Sequence, residues 1–189
     1  MEEFERDITL KDGRSARLRE VRLGDAAALL ECERAVTIAG DGMVRSVDQL
    51  QSSPEERERD LAEWVGGSRG GEHGVRLVCT SGERIVGTGH ISRMSPSRLQ
   101  HVAHIGLGVV PEFQGLGVGR AIMEGLLAWT RSARGRGITR VDLGVFSINT
   151  RAIRLYESLG FQIEGTRRKF VRFEDGSTCD DHLMALLLD

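Results

Sequence analysis

Apolar positions along the chain follow two rhythms, a period of two and a period near 3.6, and their succession predicts the elements. Ser15 to Glu20 alternates as a first strand, and Asp25 opens a helix over Ala26 to Ala35. Ser53 (a cap), Pro54 (a first-turn proline) and Glu56 (a capping-box glutamate) start a second helix that runs to about Trp64. Between the helices, Thr37 to Ser52 shows no clear period and reads as loop. Val75 to Cys79 and Arg84 to Ile91 are two strands joined at Ser81-Gly82, and His101 to Val110 (HVAHIGLGVV) is a buried strand stopped by Pro111. Val118, Ala121, Ile122, Leu126 and Trp129 share one helical face. Ile138 to Phe146 alternates again at Val141, Leu143 and Val145. Thr150 to Leu159 is a short helix with Ala152, Leu155, Tyr156 and Leu159 on one face, and Gly160 is placed to end it. A hairpin closes the chain, from Arg167 to Phe173, through a turn at Asp175-Gly176, to Leu187. The order is strand, two helices, three strands, helix, strand, helix, two strands. It predicts an α/β domain of mixed, α+β-like character built on one mixed sheet.

Composition narrows the picture. A length of 189 residues suits one domain over 1–189. Five glycines between Gly66 and Gly74 look like a linker, but the piece before them has little core of its own, so they read as a loop. Lys and Arg total 26 against 28 for Asp and Glu, a net charge of −2 that gives no support to nucleic-acid or membrane-surface binding. No apolar run approaches the roughly 18 residues of a membrane span, and the acidic first residues, Met1 to Asp7, are unlike a signal peptide. Cys32, Cys79 and Cys179 are an odd number at wide spacings, matching neither a disulfide framework nor a zinc site. A reduced, cytoplasmic setting and no metal are expected. Glycine is in excess, 24 residues, while tyrosine occurs once, as Tyr156.

The densest chemical signal is Gln114-Gly115-Leu116-Gly117-Val118-Gly119-Arg120, set between a strand and an amphipathic helix. Glycines permit positive φ and close backbone approach, and the uncapped amides of a helix start attract negative charge. The dinucleotide fingerprint GxGxxG fails, because the third glycine position is Arg120 or Ile122, and no Gly-Lys-Ser/Thr exists for a P-loop. What remains is Q-x-x-G-x-G, a phosphate cradle or a tight helix–sheet turn.

With its flanks, this segment resembles the pyrophosphate loop of the GNAT superfamily of acetyl-CoA-dependent N-acetyltransferases. Two further stretches are similar to that family: Val145, Asn149, Ala152, Leu155-Tyr156 and Gly160-Phe161, then Glu164-Gly165, Arg168, Gly176, Asp180 and Met184. The tail resembles the branch acting on amino acids, polyamines and protein N-termini. The likeness covers about 75–189 well, leaving about 15–65 as the acceptor-side part. It implies a central mixed sheet flanked by about four helices and splayed between the fourth and fifth strands. It implies acetyl-CoA as cosubstrate, with pantetheine along Leu107, Gly108 and Val109 and pyrophosphate on the amides of Gly115 through Arg120. Gln114 belongs to the same loop, and Asn149 and Ala152 lie near the pantetheine arm.

The resemblance also assigns chemistry. Tyr156 matches the family's general acid, since a phenol of pKa near 10 keeps its proton at neutral pH; on spacing alone, on the apolar face of a short helix, it reads as a core residue first. Where many members carry a glutamate, this chain has His104, which serves either as the base that takes a proton from the amine or as a strand-rim residue. His90, His73 and His182 have weaker claims. The charged stretch Glu55 to Glu63 reads as a solvated helix face. The expected function is acetyl transfer to a primary amine of a small molecule, an amino acid or a polyamine. Protein N-terminal acetylation, a non-catalytic acetyl-CoA-binding module and a nucleotide-binding protein are the alternatives. A homodimer would pair the edge hairpin.

Overall fold

The computed structural model describes residues 4–40, 50 and 53–188. In chain order they form β1 (Glu5–Thr9), β2 (Ser15–Glu20), α1 (Ala26–Ala39), α2 (Pro54–Val65), β3 (Gly74–Ser81) and β4 (Arg84–Arg93). Then follow β5 (Val102–Val109), α3 (Val118–Thr130), β6 (Arg140–Phe146), α4 (Thr150–Ser158), β7 (Gln162–Arg172) and β8 (Thr178–Leu187). The strands make one mixed sheet in the order β1-β2-β3-β4-β5-β6-β8-β7, parallel only at β5–β6. This is the mixed α/β class expected, with four α-helices among the described residues.

Three expectations about elements are corrected. The sheet has a strand ahead of the predicted first one: β1 pairs with β2 from Glu5↔Arg19 to Thr9↔Ser15. Its sequence, ERDIT, carries too few apolar residues to show a period. It is held by that pairing, by Phe4 and Ile8 against the core, and by Arg17 on Asp7 (2.9 Å) and Glu5 (3.1 Å). Helix α1 continues beyond Ala35 through Thr37 to Ala39, where Gly40 at φ +74° donates to the Thr37 carbonyl (3.0 Å) and closes it. The remainder of the predicted loop falls largely outside the described residues. Strand β7 starts at Gln162, five residues before the hairpin expected at Arg167, and irregular register with β8 hides its alternation.

Helices cover both faces of the sheet. A Cβ at Gly87 would come within 2.8 Å of Val118, and one at Gly89 within 2.6 Å of Ile122, so α3 presses on that face. A Cβ at Gly108 would meet Val36 of α1 at 3.0 Å on the other. The core between these layers includes Leu18, Leu77, Val78, Ile91, Ile122 and Leu126, each at 1% exposure or less. No helix among the described residues is long and apolar enough to cross a membrane.

The sheet opens where function is expected. β5 and β6 pair only at Val102↔Arg140, Ala103↔Val141 and His104↔Asp142. Beyond His104 the two strands separate, β5 staying with β4 and β6 with β8. The splay predicted between the fourth and fifth strands is this one, renumbered by the additional strand β1.

Candidate active site

The glycine segment joins the end of β5 to α3. Gly115 (φ +78°) and Gly117 (φ +101°, the residue preceding α3) adopt left-handed backbone that side chains oppose. Gly119 differs, its α-carbon facing Leu155 of α4, where a Cβ would stand at 3.4 Å. Turn geometry and tight packing are therefore divided among the three glycines. Gln114 braces the loop: its amide nitrogen donates to the Val109 carbonyl (3.1 Å) and its side-chain oxygen accepts from Arg151. The Leu116 carbonyl accepts from the Lys11 amide (3.1 Å), tying the β1–β2 turn to the loop. Among the described residues, none of the six backbone N–H groups from Gly115 to Arg120 has an acceptor, while the next, Ala121, bonds to the Gly117 carbonyl (3.0 Å). Six adjacent free donors at the positive end of a 13-residue helix suit a pyrophosphate. The Arg120 guanidinium donates to Ser158 (2.6 Å) beside the loop.

A cleft of about 940 Å³ runs from Gln114 and Asn149 through the splay to the α1–α2 side of the sheet. Leu107, Gly108 and Val109 line it along β5. Asn149 caps α4, its side-chain oxygen accepting from the Ala152 amide (3.1 Å), so that amide is already used. Tyr156 reaches the cleft from α4 at 7% exposure, with its ring 6.0 Å from Phe161. Its hydroxyl makes no hydrogen bond among the described residues, and burial pushes its pKa up to about 12.

The floor is set by register. Arg76, His90 and Gly106 stand opposite one another across β3, β4 and β5; Ser92, His104 and Asp142 do so across β4, β5 and β6. Opposed residues share a face, so both histidines look into the cleft. His104 is open to solvent, yet neighbouring protein desolvates it and lowers its pKa below 6.5. Asp142 opposes that shift and Arg167 adds to it.

At the α1–α2 end lies an ion network. Glu33 of α1 pairs with Arg57 of α2 (2.7 Å) and with Arg76 of β3, and Asp60 bonds Arg57 (3.2 Å) and Arg69 (2.6 Å). Arg57 and Arg76 are 7% and 8% exposed. The expectation that Glu55 to Glu63 is a solvated face is thus corrected at Arg57, which turns inward to meet Glu33. Arg76 carried a sequence signal, a lone charge inside the apolar run Val75 to Cys79, but its partners come from two helices that no local pattern links. Arg167 closes the opposite wall on Asp181 (2.6 Å).

The structure therefore brings together the loop 114–120, Leu107 to Val109, Asn149, Tyr156 and His104, and adds His90, Trp64 and the ion network. No cluster of three or more His, Cys, Asp or Glu able to hold a metal occurs among the described residues.

A splayed mixed sheet with a glycine loop of unpartnered amides at the end of the splayed strand is the arrangement of an acyl-coenzyme A-type transferase fold. The family model described as acetyltransferase (GNAT) family matches residues 43–161, and the chain belongs to that family. It is 32% identical over 113 residues to the L-amino acid N-acetyltransferase AaaT of Escherichia coli, covering 58% of this chain and 65% of that protein. It is 38% identical over 101 residues to the N-alpha-acetyltransferase RimI of Mycobacterium tuberculosis, covering 53% and 60%. The matched stretches thus span less than two thirds of either relative. Among solved structures, a GNAT-family acetyltransferase from Streptococcus pneumoniae superposes with a TM-score of 0.83 at 25% identity, covering 92% of this chain and 99% of that one. The yncA acetyltransferase of Salmonella typhimurium, solved with acetyl-CoA, gives 0.76 at 21%, covering 92% and 94%.

Proposed function

We propose that the protein transfers an acetyl group from acetyl-CoA to a primary amine of a small molecule, an amino acid or a polyamine, with both substrates bound together. The observation that carries this reading is the run of six unpartnered amides, 115–120, at the mouth of the β5–β6 splay. Acetyl-CoA supplies an activated acetyl thioester. The amides of Gly115 through Arg120 hold its pyrophosphate and the edge of Leu107 to Val109 that β6 leaves at the splay receives its pantetheine arm, with Asn149 and Ala152 flanking it. His104 takes the proton lost by the amine, directly or through water, as its nitrogen forms the new bond to carbon. Tyr156 protonates the sulfur as the carbon–sulfur bond breaks. Holding both partners in one cleft replaces an encounter in solution with a step inside one complex.

A second reading, acetylation of a protein N-terminus, is favoured by the RimI relative and by a ribosomal-protein-alanine N-acetyltransferase of Escherichia coli, 39% identical over 80 residues. Thiol release, measured with amino acids, polyamines and peptides bearing free N-termini, tests both. Turnover with a free amino acid or polyamine above that with any peptide supports the first, and the reverse order the second. Thermal shift against acetyl-CoA, ATP and NAD checks the cofactor, since only the bound ligand raises the midpoint strongly. Binding of acetyl-CoA with no thiol release from any amine would leave a non-catalytic binding module.

A further inference from the structure

Two imidazoles share the cleft floor, and the second is held by packing alone, with no hydrogen bond among the described residues. His90 of β4 faces Gly106 of β5, and its ring fills the room that Gly106 leaves. A Cβ at position 106 would fall 2.5 Å from the His90 Cε1 and 3.1–3.2 Å from its two nitrogens. The ring therefore lies over the backbone of β5, between His104 and the stretch Leu107 to Val109. Trp64 of α2 holds its other side, with ring centroids 5.4 Å apart at 56°. His90 is half-buried and lines the cleft, and neither ring nitrogen makes a hydrogen bond among the described residues. The ring is held in place by packing while its nitrogens are not sealed into the protein, so they are open to a molecule that enters the cleft.

Its surroundings fix its protonation. Arg76 of β3, Arg69 beyond α2, Asp60 of α2 and His104 of β5 are the charged or titratable groups acting on it. Burial first, then Arg76, His104 and Arg69, lower its pKa to about 4 against the opposing pull of Asp60. A neutral imidazole carries one N–H and one bare lone pair. The same burial and the same Arg76 charge disfavour an ammonium beside it and favour the neutral, nucleophilic amine.

We propose that the bare nitrogen of His90 accepts an N–H of the acceptor amine and so aims the amine's lone pair at the thioester carbon. This rests on the N-acetyltransferase reading. His104 still takes the proton that leaves, and His90 keeps its charge state throughout. A primary amine can serve both imidazoles, one N–H held by His90 while another passes to His104.

The test is steady-state kinetics of His90→Phe and His90→Gln with the best acceptor of the amine panel, alongside Gly106→Ala. Phe keeps a ring against Trp64 and removes the nitrogens; Gln restores an accepting atom. The expected result is a kcat at least tenfold lower in H90F, with an unchanged acetyl-CoA thermal shift and an unmoved acidic limb of the pH–rate profile. H90Q should regain at least threefold over H90F, and G106A, whose methyl displaces the ring, should reproduce the H90F loss. Wild-type kcat in H90F or G106A overturns the proposal, as do equal losses in H90F and H90Q, which would mark His90 as packing only. Should H90F fail to fold, G106A decides. A wild-type protein that releases thiol with no amine overturns the transferase reading and this proposal together, whereas an active wild type indifferent to His90 overturns the proposal alone.

Discussion

A phenol at 7% exposure with its pKa pushed up to about 12 stays protonated throughout the neutral range, so Tyr156 always has a proton to give. Tyr156→Phe removes that proton and little volume. Turnover should fall at least tenfold while the acetyl-CoA thermal shift persists, and no basic limb below about pH 11 should belong to this group. His90 titrates in the other direction. Its folded pKa of about 4 lies below the unfolded value of ~6.5, so between them the unfolded chain binds more protons. The stability this group contributes is present above pH 6.5 and is lost as pH falls through that window to about 4. Each tenfold difference in proton affinity between the two states is worth about 1.4 kcal/mol, so the loss is at most about 3–4 kcal/mol. Urea midpoints at pH 7 and pH 5 should fall further for wild type than for His90→Phe, and equal falls would show that His90 is not held neutral.

Each element that shapes the cleft brings side chains to it from a position fixed elsewhere. Helix α2 starts on a complete capping box, Ser53 Oγ accepting from the Glu56 amide (3.2 Å) and Glu56 accepting from the Ser53 amide (3.0 Å). Because α2 delivers Arg57, Asp60 and Trp64, Ser53→Ala should cost about 1 kcal/mol and raise KM for the amine more than KM for acetyl-CoA. Thermal unfolding and paired saturation curves would check this. The same box made α2 legible in the sequence, as the glycine run did for the start of α3, since both signals are local. Strand β1 was not legible: ERDIT becomes a strand through its pairing with β2, which a short window does not contain. Register also hid the second imidazole. His90 and His104 are 14 positions apart in the chain and meet on one face only because β4 folds back on β5. The glycine loop, one contiguous segment, was readable; the α1–α2 end of the cleft, assembled from α1, α2, β3 and β4, was not.

At the scale of the molecule, the ion network fastens both N-terminal helices to the sheet. Glu33 is the shared anion of two guanidiniums that are each under a tenth exposed, so Glu33→Ala leaves Arg57 and Arg76 with Asp60, which Arg69 also engages, as their remaining anion. Such a change should destabilise the fold by about 2–3 kcal/mol, less than the about 3–5 kcal/mol of a wholly uncompensated buried charge, because Asp60 remains. Adding Arg76→Ala should recover part of the loss, because it removes one of the stranded charges. Denaturant titration of both variants measures the difference, and full additivity would mean that the two side chains do not interact. The stack of Trp64 on His90 has an optical consequence. The chain contains two tryptophans, and Trp129 sits in the hydrophobic core at 5% exposure and, unlike Trp64, does not line the cleft. Trp129 therefore contributes a steady background emission, while Trp64 looks across His90 at the place assigned to the amine. On that proposal the unlabelled protein carries its own fluorophore for acceptor binding, and a change in Trp64 emission on adding the amine would measure occupancy apart from turnover.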